Sequence, residues 1–183
     1  MPEIIKWGFY ALAGSAVLHV VEEYVFPGGF AIYMRNAVPD LAPYVTKRFA
    51  PATNALFLLV CLGAALAGER LLVLGLGVAG LCGFNGVLHV VGSIRTRGYV
   101  PGVLTGASLY LPLAVAIFYA AADSGKIGLF QAISSASVGA ACNAVPLCVL
   151  GLARARALNQ TKGCNEDTAN KPSQPIAGRP GSG

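Results

Sequence analysis

The chain has 183 residues, of which 55% are hydrophobic and only 11% charged, with a formal net charge of +5. A soluble domain carries about 25% charged residues, so an ordinary soluble domain is excluded. The charges sit in short patches without a basic, aromatic-studded surface pattern, which argues against nucleic acid as a partner. Between the patches lie apolar stretches of roughly 18 to 24 residues, long enough to cross a bilayer core as helices. The expected fold is an all-α, polytopic membrane bundle of about five transmembrane helices.

The first span is placed at about 7–26. It is not read as a cleaved signal, because the small residues Ala11-Leu12-Ala13 fall inside an apolar run that continues to His19. Two adjacent carboxylates, Glu22 and Glu23, follow that histidine. The long connection at about 27–51 contains Pro27-Gly28-Gly29, Pro39, Pro43 and Pro51 together with Arg35, Asp40, Lys47 and Arg48. It is read as an interfacial loop with a short helix lying on the membrane. Spans two and three, at about 52–68 and 71–94, meet at Gly68-Glu69-Arg70-Leu71, the composition of a tight antiparallel hairpin turn.

Within span three, Gly75-Leu76-Gly77-Val78-Ala79-Gly80 matches a dinucleotide-binding fingerprint letter for letter. That fingerprint requires a strand before it and a helix after it, so here it predicts a smooth face for close helix packing. Span three also carries Val87-Leu88-His89-Val90-Val91, an unchanged repeat of Val17-Leu18-His19-Val20-Val21, and the two copies hold the protein's only two histidines. The repeat suggests parallel two-helix units. Tyr99-Val100-Pro101-Gly102 leads into span four at about 103–122, whose first residues Gly102–Gly106 form a small-xxx-small surface. Asp123-Ser124-Gly125-Lys126 turns into span five at about 128–152, and Pro112 and Pro146 are expected to kink these last two spans. Apolar periodicity stops near residue 157. The reading is therefore a transmembrane domain over 1–156 and a disordered cytoplasmic tail over 157–183. The five cysteines form no C-x-x-C pair and are read as small buried hydrophobes.

With five spans the connections alternate sides. One side receives Arg35, Lys47, Arg48, Arg95, Arg97, Arg154 and Arg156; the other receives Lys6, Arg70 and Lys126, each near an acidic residue. Lysine and arginine favour the cytoplasm. The N-terminus is therefore expected outside and the C-terminus inside, in a cell's inner or plasma membrane. His19 and His89 then lie about 8–10 Å below the same cytoplasmic surface. Asn54, Asn85, Thr105, Ser108 and Asn143 bring further polar groups toward that leaflet.

A carboxylate in the hydrocarbon region costs several kcal/mol unless paired or hydrated. On a helix, Glu22 and Glu23 flank the face of His19 by about 60° and 40° on opposite sides. One is expected to point at His89, the other toward the interface or Tyr99. Two imidazoles with up to two carboxylates suit zinc, iron or manganese, with His19, Glu22, Glu23 and His89 as the candidate ligands. The same residues with Tyr99 are the candidate catalytic groups. A Glu–His cluster without a metal is the alternative, as a proton-transfer site of an isomerase or cyclase.

The chain resembles a membrane-protein family named for its His-x-x-Glu-Glu motif, which stands here as His19-Val20-Val21-Glu22-Glu23. That family also has a second histidine and a Tyr-x-Pro-Gly motif, matched by His89 and by Tyr99-Val100-Pro101-Gly102. The resemblance covers roughly residues 10–110. It implies the site residues and no particular activity. The expected function is an enzyme acting within the bilayer on a lipophilic small molecule. A non-enzymatic metal-binding or assembly subunit, or a transporter, is the remaining alternative.

Overall fold

The computed structural model describes residues 2–25 and 29–169, and among them there are helices and turns but no strand. Helix α1 (Pro2–Val25) is followed by the short α2 (Gly29–Ala37) and a 3-10 turn (Pro39–Tyr44). Helix α3 (Phe49–Ala67) connects through a 3-10 turn (Gly68–Leu71) to α4 (Leu72–Thr96). One turn of α-helix, α5 (Val103–Thr105), runs through a π-turn (Gly106–Tyr110) into α6 (Leu111–Asp123). Helices α7 (Leu129–Cys142) and α8 (Val145–Ala169) complete the chain.

Three stretches are long and apolar enough to cross a membrane: Glu3–Val25, Phe49–Thr96 and Val103–Asp123. The pair Leu129–Cys142 and Val145–Gln160 makes a fourth, bent by 40°. The 48 residues of Phe49–Thr96 are two passes rather than one long rod. The Cys61 and Cys82 thiols meet, although a straight helix would hold them about 30 Å apart. The fold-back occurs at Gly68, whose φ of 54° is open to a residue without Cβ. The molecule is an integral membrane helical bundle.

The packing is that of a membrane bundle. Small residues fill the interior: Ala64, Ala65, Ala79, Ala120 and Ala121 are buried with Cys61 and Cys82. Large apolar side chains such as Leu59, Leu66, Val73, Val115 and Phe130 face outward, where hydrocarbon is their natural solvent. On α1 the buried side chains Ile5, Phe9, Leu12, Ala16, His19 and Glu23 recur every three or four residues, so the polar residues continue the packing stripe of the apolar ones. The glycine-rich stretch of α4 has the role expected of it. A Cβ on Gly80 would lie 2.8 Å from the Ala136 Cα, and one on Gly139 would strike the backbone of Gly77 and Leu81.

Helices α1 and α4 run in the same direction: Phe9 lies against Gly75 at one end, and His19 meets His89 toward the other. The Lys126–Glu69 ion pair joins the α3–α4 turn to the α6–α7 turn at the end opposite the site. The 27–51 connection contains the short helix expected of it, α2. Its Met34 packs with Val45 and with Leu150 of α8, and Arg35 donates to the Val45 carbonyl at 2.9 Å.

The C-terminal region refines the expectations. Helix α8 runs to Ala169, past the expected domain boundary near 157. Apolar periodicity stops there, and residues such as Ala, Leu, Gln and Lys keep good helix propensity without it. The rest of the expected tail, 170–183, lies outside the described residues. Span five is bent by 40°, as expected, but the bend is a break after Cys142, and Pro146 enters α8 in its first turn, where its missing N–H is tolerated. Finally, Cys142 and Cys148 are exposed on the helix surface, unlike the buried Cys61 and Cys82.

Candidate functional site

Four elements build the site. Helix α1 supplies His19, Glu22 and Glu23, α3 supplies Asn54, and α4 supplies His89. The segment from Tyr99 through α5 and the π-turn supplies Tyr99, Gly102, Thr105 and Tyr110. His19, Glu22, Glu23 and His89 are each no more than 5% exposed. The two imidazole rings lie edge to face with centroids 4.9 Å apart, so the repeated pentapeptide does bring its histidines together.

The two glutamates have different partners. Glu23 turns inward. Its Oε2 accepts a hydrogen bond from Asn54 Nδ2 at 3.0 Å, while its Oε1 lies 3.5 Å from His19 Nε2 and 3.6 Å from His89 Nε2. Those distances exceed the usual N–H···O range. Within the described residues, His19, Glu23 and His89 form the group of potential metal ligands, their ligand atoms within 4.8 Å of one another.

Glu22, expected among the ligands, is not part of that group. Its Oε1 accepts from the Tyr99 hydroxyl at 2.5 Å and the Leu104 N–H at 3.0 Å. Its Oε2 accepts from the Thr105 N–H at 2.8 Å and the Thr105 hydroxyl at 2.5 Å. The start of α5 offers backbone N–H groups that have no partner within the helix, and the carboxylate of α1 caps them from outside. Burial of its hydroxyl end, with the bond to Glu22, pushes the Tyr99 phenol above its ordinary range, which keeps it a donor.

Thr105 also lies 2.8 Å from His19 Nδ1 through its Oγ1. Gly102 closes the site. Its φ is +92°, and a Cβ there would sit 2.6 Å from His19 Cε1 and 2.8 Å from His89 Cε1. The Tyr-x-Pro-Gly segment is thus a backbone cover resting on both imidazoles. His19 Nε2 and His89 Nδ1 are buried without a hydrogen-bond partner. The Pro101 carbonyl faces the His89 ring but misses hydrogen-bond geometry to Nδ1.

Other polar residues expected near the site do not join it. Asn85 pairs with Asn143 at 3.3 Å, and Ser108 bonds the Leu104 carbonyl of its own turn. Tyr110, absent from the sequence reading, is fully buried with its ring centroid 4.6 Å from that of His19. Its hydroxyl has no partner among the described residues.

Residues 10–117 match a family model described as a protein of unknown function with HXXEE motif. The match takes in His19, both glutamates, His89 and the covering segment. No curated protein and no solved structure matches the chain.

Proposed function

The chain belongs to the HXXEE family, and from that premise we propose that it is a membrane-embedded enzyme whose His19, Glu23 and His89 hold one divalent metal ion. One observation carries this reading: a single carboxylate oxygen lies at nearly equal distance, 3.5 and 3.6 Å, from two imidazole nitrogens. The edge of a tetrahedral site with bonds of about 2.0–2.1 Å is about 3.3 Å. The carboxylate oxygen is thus too far from either nitrogen to bond it and close to the spacing of ligands on a shared ion. His19 Nε2, otherwise orphaned in the interior, would gain a partner. Three protein ligands leave a position for substrate, the pattern of catalytic rather than structural zinc sites. Zinc, iron and manganese all suit the donors.

A bound divalent ion supplies Lewis-acid chemistry. The chain's own residues orient and enclose the reacting centre. Asn54 fixes the Glu23 carboxylate, Gly102 covers the imidazoles, and Tyr99 and Thr105 hold Glu22. The substrate class we infer is a lipophilic small molecule entering from the leaflet, because the site lies inside an apolar bundle whose outer walls face hydrocarbon. In the proposed orientation the N-terminus is outside and the site lies in the cytoplasmic half of the inner or plasma membrane.

Elemental analysis of the detergent-purified chain tests the metal. The expected result is about one equivalent in the wild type and less than a tenth of that in Glu23→Gln and His89→Ala. A wild-type protein that takes up none of the three metals on reconstitution would overturn it. Incubation of proteoliposomes with a total lipid extract tests the substrate class. Mass spectrometry should show lipid-soluble species consumed by the wild type and not by Glu23→Gln; equal profiles would contradict an enzymatic role.

A metal-free proton-transfer enzyme is the second reading. It is favoured by the continuous contacts from exposed Tyr99 through Glu22 and Thr105 to His19. On that reading the active wild type is metal-free and Glu23→Gln still abolishes turnover.

A further inference from the structure

We infer that Thr105 and Glu22 are positioning residues that lock His19 in the tautomer with the proton on Nδ1, leaving the Nε2 lone pair aimed at Glu23 and His89. As far as it concerns a metal, this rests on the site proposed above; the tautomer itself does not.

The inference follows from counting hydrogens along a short chain of heavy atoms. Glu22 receives two backbone N–H groups that can only donate toward it, those of Leu104 and Thr105, with the Tyr99 hydroxyl beside them. A carboxyl group surrounded in this way acts as an acceptor. The Thr105 hydroxyl, 2.5 Å from Glu22 Oε2, therefore spends its single hydrogen on Glu22. Its other neighbour, the Gly102 carbonyl, is at 3.5 Å and competes poorly. With that hydrogen committed, Oγ1 can meet His19 Nδ1 at 2.8 Å only as an acceptor. Nδ1 must carry the proton, and in the neutral ring Nε2 then carries none.

The consequence is specific to the center of the site. A bare Nε2 faces a carboxylate oxygen at 3.5 Å, and neither atom can bond the other without a proton or a cation between them. That is how metal-binding histidines are commonly set: the outer ring nitrogen donates to a fixed acceptor, and the inner one is presented to the ion. Here the outer acceptor is a threonine hydroxyl backed by a carboxylate. The spacing of His19, Glu22 and Glu23 gains a reason. Glu23, one position beyond Glu22, turns to the inner nitrogen of His19, while Glu22 reaches the outer nitrogen through Thr105.

NMR of the full-length, metal-stripped protein in detergent, with isotope-labelled histidine ring nitrogens, reads the tautomer directly. The wild type should show His19, assigned by its loss in His19→Gln, with a protonated Nδ1 and an unprotonated Nε2. Thr105→Val should lose that preference and Thr105→Ser should keep it. Zinc affinity, measured by competition with a chelator, should fall about 10–100-fold in Thr105→Val and stay within a few-fold of wild type in Thr105→Ser. An Nε2-protonated His19 in the wild type would overturn the inference, as would a Thr105→Val protein with unchanged tautomer and zinc affinity. Should Thr105→Val fail to fold, the wild-type spectrum still decides. A wild type that shows the expected tautomer but binds no zinc would refute the metal reading and leave the positioning role standing.

Discussion

Adjacent carboxylates at the end of a membrane helix invite the reading that they do the same thing. Their contacts say otherwise: Glu23 is held by Asn54 and faces both imidazoles, whereas Glu22 is consumed by four donors from the segment that begins α5. The unequal roles were legible in sequence from the helical angles, since the two residues flank His19 on opposite sides. The separation of Glu22 from the inward-facing group was not, because nothing in the sequence shows that Thr105 and two backbone N–H groups arrive to saturate Glu22. Within the site, Gly102 has no room for a side chain, with a φ of +92° and both rings within 3 Å of where a Cβ would stand. Gly102→Ala is predicted to lower metal content at least tenfold, by analogy with the loss of supporting contacts at metal sites. Gly98→Ala, where the nearest atom is the Thr96 carbonyl at 3.7 Å, should retain it. Metal analysis of both purified variants checks this, and equal content would show that Gly102 does not bear on the imidazoles.

At the level of elements, the bundle depends on backbones approaching closely, because small residues let helices pack where no hydrophobic force drives them together in lipid. Gly139 of α7 seats on the Gly77–Leu81 backbone of α4, while Gly63 of α3 has nothing within 4 Å of its Cβ position. Thermal melting in detergent should therefore separate them. Gly139→Ala is predicted to destabilise by about 1–3 kcal/mol through overpacking, and Gly63→Ala to stabilise by about 0.5–1 kcal/mol as an exposed helix glycine replaced by alanine. Similar melting for both would mean that α4 and α7 are not packed this closely. The sequence pattern made these glycines readable as a packing face, and it made the α3–α4 hairpin and the shared depth of the histidines readable too. Tyr110 was hidden for a geometric reason. Along a regular α-helix, five residues turn by about 500°, which places position 110 about 140° from Thr105. The π-turn Gly106–Tyr110 closes an i to i+5 ring instead, which turns Tyr110 back toward the face of Thr105 and onto His19. A local change of helix type just before Pro112 is not encoded in periodicity.

For the whole molecule, the parity of the passes, the charge distribution and the Lys126–Glu69 pair between two turns agree on one arrangement. The site lies near the end that carries Arg95 and Arg97, opposite those turns. If the proposed orientation is right, a fluorescent protein fused to the C-terminus will glow and a phosphatase fused there will be inactive; the reverse pattern would invert the topology and place the site in the outer leaflet. The central claim, however, concerns three side chains, two of them one turn apart on α1 and the third from α4, that the fold brings to one buried position. X-ray absorption at the edge of the bound metal tests it most directly. The account predicts a first shell of nitrogen and oxygen at about 2.0–2.1 Å with the scattering signature of two imidazoles. A shell dominated by sulfur at about 2.3 Å would move the metal to the cysteines, and it would contradict the assignment of His19, Glu23 and His89 as the centre.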